Sequence, residues 1–333
     1  MKTILVTGTA GFVGFHVARA LLEAGARVIG LDSFDPYYAV NLKMARTAIL
    51  GRFPEFILEH ADLADKAAVQ HCFAQHSPEV VCHLAAQAGV RYSLKNPYAF
   101  ERSNLAGFLN VIEETRKHDV ERFVYASSSS VYAGNTKVPY SETDPVNTPV
   151  SLYAATKRAN ELMAYTYTHL WGLKTVGLRF FTVYGPWGRP DMAYWSFLEA
   201  IVHKEPIKVF NYGKNRRDFT YIDDVVQGVL GALSCSNSDP YEIINLGNNE
   251  PVELMDFIGI LEDLAGMPAV KEMVPAQPGD MVETFADIDK AAKKLGFRPS
   301  ISLRKGLEYF ADWYFSSPEI TRPVREFRKA HDR

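Results

Sequence analysis

Tyr153 and Lys157 stand four residues apart in "SLYAATKRANEL", so a helix there carries both on one face. A free tyrosine ionises near pH 10, about three units too high for a base at neutral pH. A neighbouring ammonium favours the phenolate and lowers that value. Such a tyrosine can take a hydroxyl proton while hydride leaves the same carbon, provided that a hydride acceptor lies within reach. A second group of hydroxyls, Ser127 to Ser130, follows the apolar run "RFVYA" and precedes Val131–Tyr132. In a linker such a run is solvated and inert. At the carboxyl end of a strand, where α/β sheets place ligands, it faces chemistry.

The acceptor is announced at the other end of the chain. "VTGTAGFVGFH" puts Gly8, Gly11 and Gly14 after an apolar strand and at the start of a helix. Glycines there let backbone N–H groups approach a pyrophosphate seated on the positive helix end. Asp32 closes the second strand, where its carboxylate accepts from the adenosine ribose and repels a 2′-phosphate, so NAD is favoured over NADP. The positive nicotinamide ring would favour the Tyr153 phenolate further.

These residues need a parallel sheet to bring them together. The runs "TILVTG", "ARVIGLD", "EFILEHADL", "EVVCHLAA" and "RFVYASS" alternate with helix-period segments, of which "HVARALLEAG" ends at Gly25. Near-continuous apolar strands are buried on both faces, which predicts an α/β fold with a doubly wound parallel Rossmann sheet. After about residue 178 the pattern turns irregular. The loop "VYGPWGRPDM" precedes a helical "SFLEAIVHK", a strand "IKVFNYG", a helix "YIDDVVQGVLGAL", a strand "EIINLGN" and an amphipathic "SLRKGLEYFADWYF". The division expected is 1–180 with a return segment at about 218–248 for the dinucleotide. Residues 181–217 and 249–333 then form a smaller, mixed α/β substrate-binding domain. The charged last stretch, "SSPEITRPVREFRKAHDR", reads as partly disordered.

Composition narrows the field. A net charge of −3 lacks the basic footprint of a nucleic-acid binder. The three cysteines show no metal or CxxC spacing; Cys82 reads as a small buried hydrophobe, and no metal is expected. No apolar run approaches the roughly 18 residues of a membrane span, nor the core of a signal peptide. A cytoplasmic enzyme is expected.

The glycine spacing is Gly-x-x-Gly-x-x-Gly, and with "DL" at Asp62–Leu63, "HLAA" at His83–Ala86, Asn104 and "YAATK" it resembles the extended short-chain dehydrogenase/reductase family. "RFFTVYGPWGRPDM" (179–192) and "AAQAGVRYSLKNP" (85–97) bring it closest to the UDP-glucuronate 4-epimerases within that family. The resemblance implies tightly bound NAD, recycled within each turnover, a UDP-sugar substrate and a homodimer. It assigns catalysis to Tyr153, Lys157 and Ser128. It assigns the cofactor to Gly8, Ala10, Gly11, Phe12, Val13, Gly14, Asp32 and Ser33. Further along, the same role falls to Asp62, Leu63, Leu84, Ala85, Ala86, Asn104, Ser127 and Phe180, besides Tyr153 and Lys157.

The substrate falls to Gln87, Arg91, Ser128, Ser129, Ser130, Thr182, Arg189, Val209, Asn211, Arg217 and Asp280. Arg217 would grip the diphosphate and Asp280 the uridine ribose. His83 reads as a core residue. Family dehydratases and decarboxylases carry an acidic residue two after the active-site hydroxyl; here that position is Ser130, which favours inversion at C4. Arg189 can present a bidentate fork to a C6 carboxylate. The rival readings are a UDP-glucose or UDP-GlcNAc 4-epimerase, a UDP-glucuronate decarboxylase, and a non-catalytic dinucleotide-sensing protein that would have no need of the Tyr/Lys pair.

Overall fold

A computed structural model describes residues 2–235, 239–276 and 282–331. Its first half alternates strands with helices: β1 (Thr3–Thr7), α1 (Phe12–Glu23), β2 (Arg27–Asp32), α2 (Val40–Leu50), β3 (Phe56–His60), α3 (Lys66–His76) and β4 (Val80–His83). Next come α4 (Val90–Lys95), α5 (Pro97–Phe100), a π-helical turn (Glu101–Ala106), α6 (Gly107–Lys117), β5 (Arg122–Ser128), α7 (Leu152–Trp171) and β6 (Thr175–Phe180). The second half holds β7 (Thr182–Tyr184), α8 (Ala193–Val202), β8 (Pro206–Val209), β9 (Arg216–Tyr221), α9 (Ile222–Ser234) and β10 (Tyr241–Leu246). It closes with β11 (Pro251–Glu253), α10 (Leu254–Ala265), β12 (Val270–Met273), β13 (Glu283–Thr284), α11 (Asp289–Leu295), α12 (Leu303–Ser316) and α13 (Pro318–His331).

Seven parallel strands form the main sheet in the order β10-β6-β5-β4-β1-β2-β3. The order reverses between β1 and β4, which opens a crevice at the carboxyl ends of the strands. The apolar runs are buried as expected: Leu5, Val6, Ile29, Val81 and Val124 are fully enclosed. Beyond this sheet, β9 is flanked by β11, β13 and β7, and β8 pairs with β12. Among the described residues, no helix is long and apolar enough to cross a membrane.

Two expectations change. "IKVFNYG" is a strand only to Val209, because Asn211 and Tyr212 take left-handed backbone (φ 53° and 51°) that cannot continue one. The charged tail is ordered through His331: α13 packs on α2, buries Val324, and pairs Arg325 with Glu205 at 2.6 Å and Arg328 with Glu199. Arg325, Arg328 and Lys329 all pair with carboxylates of the body, so its polarity is that of a docked helix.

Candidate active site

The crevice is a cleft of about 450 Å³ reaching from the glycine loop to the 180–192 segment. At one end, Gly8 sits at φ 79°, and a Cβ there would lie 2.9 Å from the Ala85 backbone; one on Gly14 would strike the Gly8 carbonyl. Only glycines allow β1, the loop and α1 to close on one another this tightly. No side chain caps the first turn of α1, so its positive end is left to a ligand. Asp32 accepts from the Ala10 N–H at 2.9 Å and from the Phe34 N–H at 2.8 Å, one bond on each carboxylate oxygen. It lines the cleft with Ser33, Asp62 and Leu63. An uncapped helix end, a cradle that a Cβ would fill and an acceptor at the tip of β2 together fit a dinucleotide.

At the middle stand the hydroxyls. β5 ends at Ser128, and Ser128 to Ser130 all face the cleft, as do Tyr153 and Lys157. Ser151 caps α7 through the Ala154 N–H at 3.1 Å, which sets Tyr153 on the first turn. Lys157 lies one turn deeper, and its Nζ donates to the Ala126 carbonyl at 2.8 Å. Burial lowers the Lys157 pKa to about 8, with Glu161 opposing. Tyr153 departs from expectation. Burial raises its pKa, and the pulls toward phenolate come from a Ser128 hydrogen bond and the Arg189 charge rather than from Lys157. The Lys157 ammonium is turned to the β5 backbone. Ser128 also donates to Ser130 Oγ and accepts from the Ser130 N–H, each at 3.1 Å, so the two serines are hydrogen-bonded to each other.

At the far end Arg189 lines the cleft with Thr182 and Phe180. Its Nε and Nη2 donate to the two oxygens of Asp191 at 3.1 and 2.6 Å, and Tyr37 O–H donates to Asp191 at 3.1 Å. Burial works against the charge on Asp191, but Arg189 outweighs it and holds the carboxyl below its usual range. Tyr37 and Asp191 were not read from the sequence. Asp191 sits two residues after Arg189 inside a motif already singled out, and Tyr37 lies in the "DPYY" loop after Asp32.

Other expected residues stand elsewhere. Leu84, Ala85, Ala86, Gln87, Gly11, Phe12 and Val13 line the cleft; Ala10 is buried behind the loop. Ser127 reaches the wall, but its hydroxyl donates to Glu161 at 2.7 Å. Asn104 stands behind the wall. It accepts from the Gln87 N–H at 2.8 Å and donates to the Gln87 carbonyl and to Thr156, both at 3.0 Å. It therefore shapes the wall instead of lining it. Val209, Asn211, Arg217 and Arg91 lie outside this cleft. Arg91 stacks over Phe210 at 4.7 Å, which brings "AAQAGVRY" and "FNYG" together. Arg217 donates to the Val282 carbonyl at 3.3 Å. Asp280 lies outside the described residues. His83 is 2 % exposed, bonded to Thr7 at 3.0 Å and packed on Phe123, and burial drops its pKa to about 3. Among the described residues no cluster could hold a metal.

A buried network backs the site. Glu161 takes Ser127, Arg158 and both arms of Arg179, and Arg179 donates to Tyr132 at 2.7 Å. It ties α7 to β5 and β6 and so fixes Tyr153 and Lys157 against the serines.

The chain is similar over most of its length to known proteins. A probable UDP-glucuronate 4-epimerase of Rhizobium meliloti is 44 % identical over 344 residues, covering 98 % of each chain. UDP-glucuronate 4-epimerase 4 of Arabidopsis thaliana is 47 % identical over 330 residues, covering 94 % of this chain and 75 % of the relative. The crystal structure of UDP-glucuronic acid 4-epimerase from Bacillus cereus, in complex with UDP-glucuronic acid and NAD, superposes with a TM-score of 0.88 at 34 % identity. It covers 93 % of this chain and 98 % of that one. Residues 4–247, which hold the glycine loop, the serines, the Tyr153/Lys157 pair and Arg189, match one family model. The chain belongs to the NAD dependent epimerase/dehydratase family.

Proposed function

We propose that this protein is an NAD-dependent 4-epimerase that interconverts UDP-glucuronate and UDP-galacturonate. The observation that carries the reading is one cleft lined by Tyr153, Ser128, a hydroxyl at Ser130 where elimination needs a carboxylic acid, and Arg189 at the sugar end.

NAD supplies, when bound, a hydride acceptor and donor for C4 of the sugar. Gly8, Gly11, Gly14 and Asp32 would hold it. Tyr153 takes the proton of the C4 hydroxyl, and Ser128 shares that proton and relays it toward Ser130. Lys157, fixed on the Ala126 carbonyl, brings positive charge to the same wall. Oxidation at C4 leaves a β-keto acid, which loses CO2 readily. Arg189, steadied by Asp191, and Thr182 hold the carboxylate so that its C–C bond stays poorly aligned for that loss. The 4-keto sugar then turns about its diphosphate link and presents the opposite face of C4 to the returning hydride, and Tyr153 gives the proton back to the C4 oxygen. Residues 181–217 and 249–333 form the sugar-nucleotide half in this reading, with Arg91, Val209, Asn211 and Arg217 on the nucleotide side.

The same proposal includes a homodimer and a cytoplasmic setting. Leu109 on α6 and Leu162 and Leu170 on α7 are exposed on adjoining helices, an apolar face suited to a second copy. The three cysteines are free thiols, in keeping with a reducing compartment.

The deciding experiment gives purified protein UDP-glucuronate without added NAD and follows the products by NMR. UDP-galacturonate is the expected product. A UDP-pentose with CO2 would assign a decarboxylase, and turnover of UDP-glucose alone a neutral-sugar epimerase.

A further inference from the structure

The turn that carries Arg189 is fastened to the cofactor half by three successive carbonyls. Pro186 O accepts from His16 Nε2 at 3.0 Å, Trp187 O accepts from Arg46 at 3.0 and 2.6 Å, and Gly188 O accepts from Arg46 at 2.8 Å. The remaining donors of Arg46 go to the Ala10 carbonyl at 2.8 Å and Tyr38 O–H at 2.7 Å. All five guanidinium N–H groups are used, every acceptor is a neutral oxygen, and the side chain is fully buried.

A buried cation with no carboxylate on its hydrogen bonds is expensive to keep. What it gains is position. Ala10 gives its N–H to Asp32 and its carbonyl to Arg46, so one residue of the glycine loop joins the ribose acceptor to the sugar-side turn. Trp187 meanwhile holds φ 59°, a conformation that a bulky residue keeps only where its surroundings impose it. Its surroundings are the two Arg46 bonds on its carbonyl and ring contacts with Phe15 and Trp313 at 5.8 and 5.2 Å. Loss of the Arg46 bonds would remove three of the restraints on the turn that leads into Arg189.

We propose that Arg46 is a positioning residue that couples the dinucleotide site to the sugar site. Negative charge arriving on the glycine loop favours the guanidinium beneath it, which in turn holds Trp187 and sets Arg189 for a substrate carboxylate. This rests on the reading of the cleft as a site for NAD and a UDP-uronate. Coupling of this kind is reciprocal: each ligand tightens the other by the same factor.

The test uses calorimetric titration of UDP-glucuronate into Tyr153→Phe protein, which binds without turnover, with NAD removed and with NAD saturating. The expected result is tightening by NAD of roughly tenfold. With Arg46→Lys added, which keeps the charge and loses the fork, the ratio is expected to fall within about twofold, and the tightening of NAD by UDP-glucuronate should shrink by the same factor. Tyr38→Phe removes one acceptor and keeps the ring, and it should shrink the ratio in the same direction even if the lysine variant does not fold. A ratio near one in the parent protein, or a full ratio in folded Arg46→Lys, would overturn the coupling. If NAD tightens UDP-glucose while UDP-glucuronate goes unbound, the uronate reading falls, and the Arg46 coupling stands only where Arg46→Lys removes that tightening of UDP-glucose.

Discussion

Tyr153, Lys157 and Arg189 have separate jobs, and single substitutions separate them. Tyr153→Phe removes the proton acceptor and leaves the ring packed on Phe100. Turnover should fall by about 10² to 10⁴ with an unchanged circular dichroism spectrum. Arg189→Ala should weaken UDP-glucuronate turnover and raise the share of UDP-pentose; unchanged values for both would sink the carboxylate-holding role. Lys157 gives a prediction in pH. Its folded pKa lies near 8, below the value of about 10.4 for an exposed lysine, because burial disfavours its charge. An unfolded chain therefore keeps a proton between pH 8 and 10.4 that the native state has lost, and stability rises with pH across that window. Below pH 8 the fold carries the full cost of the charge. Lys157→Met should thus melt higher than wild type at pH 7, by on the order of 1–2 kcal/mol after the lost bond to Ala126 is counted, while losing activity. The gap should close above pH 10. A lower melting point at pH 7 would show that the charge is compensated in the fold.

At the scale of elements, the wall beside the reacting groups depends on the π-helical turn 101–106. Its wider winding offers Asn104 to Gln87, where the side chain satisfies both the N–H and the carbonyl. Asn104→Ala leaves those groups and the Thr156 bond unmade in a buried place. We expect a loss of about 3 kcal/mol in denaturant unfolding and a reduced NAD content in the purified protein. The small sheet has a comparable support. Asp218 accepts from the Asn248, Asn249 and Ala286 N–H groups at 2.6, 3.1 and 3.0 Å, which closes the loop after β10 onto β9. The positions of β1 to β5 were legible from pattern. The π-helix was not, because "ERSNLA" carries no local signal for a winding set by its contacts with α7 and β4's following loop.

At the scale of the whole molecule, the exposed leucines of α6 and α7 predict a concentration-dependent assembly. Leu162→Glu should convert a dimer into a monomer by sedimentation, with the fold retained. The parent eluting as a monomer at micromolar concentration would remove the dimer from the proposal.

The order of strands and helices, the glycine loop, Asp32, the serine run and the Tyr153/Lys157 spacing all follow from local rules: apolar period, helix face and backbone freedom. Those rules depend on neighbours a few residues away, and the amino-acid sequence by itself determined them. The tertiary structure alone decided that Arg189 meets Asp191 and Tyr37, that Asn104 supports Gln87, and that Arg46 bridges Ala10 to Trp187. Their partners lie two to 154 residues away in sequence. Most of these pairings arise between segments with no shared periodicity, and burial, which strips water from each donor, selects them. Tyr153 shows the difference most plainly. Its place on one helix face with Lys157 was legible from spacing, but which groups pull on its proton was settled by where α7, β5 and the 189 turn converge.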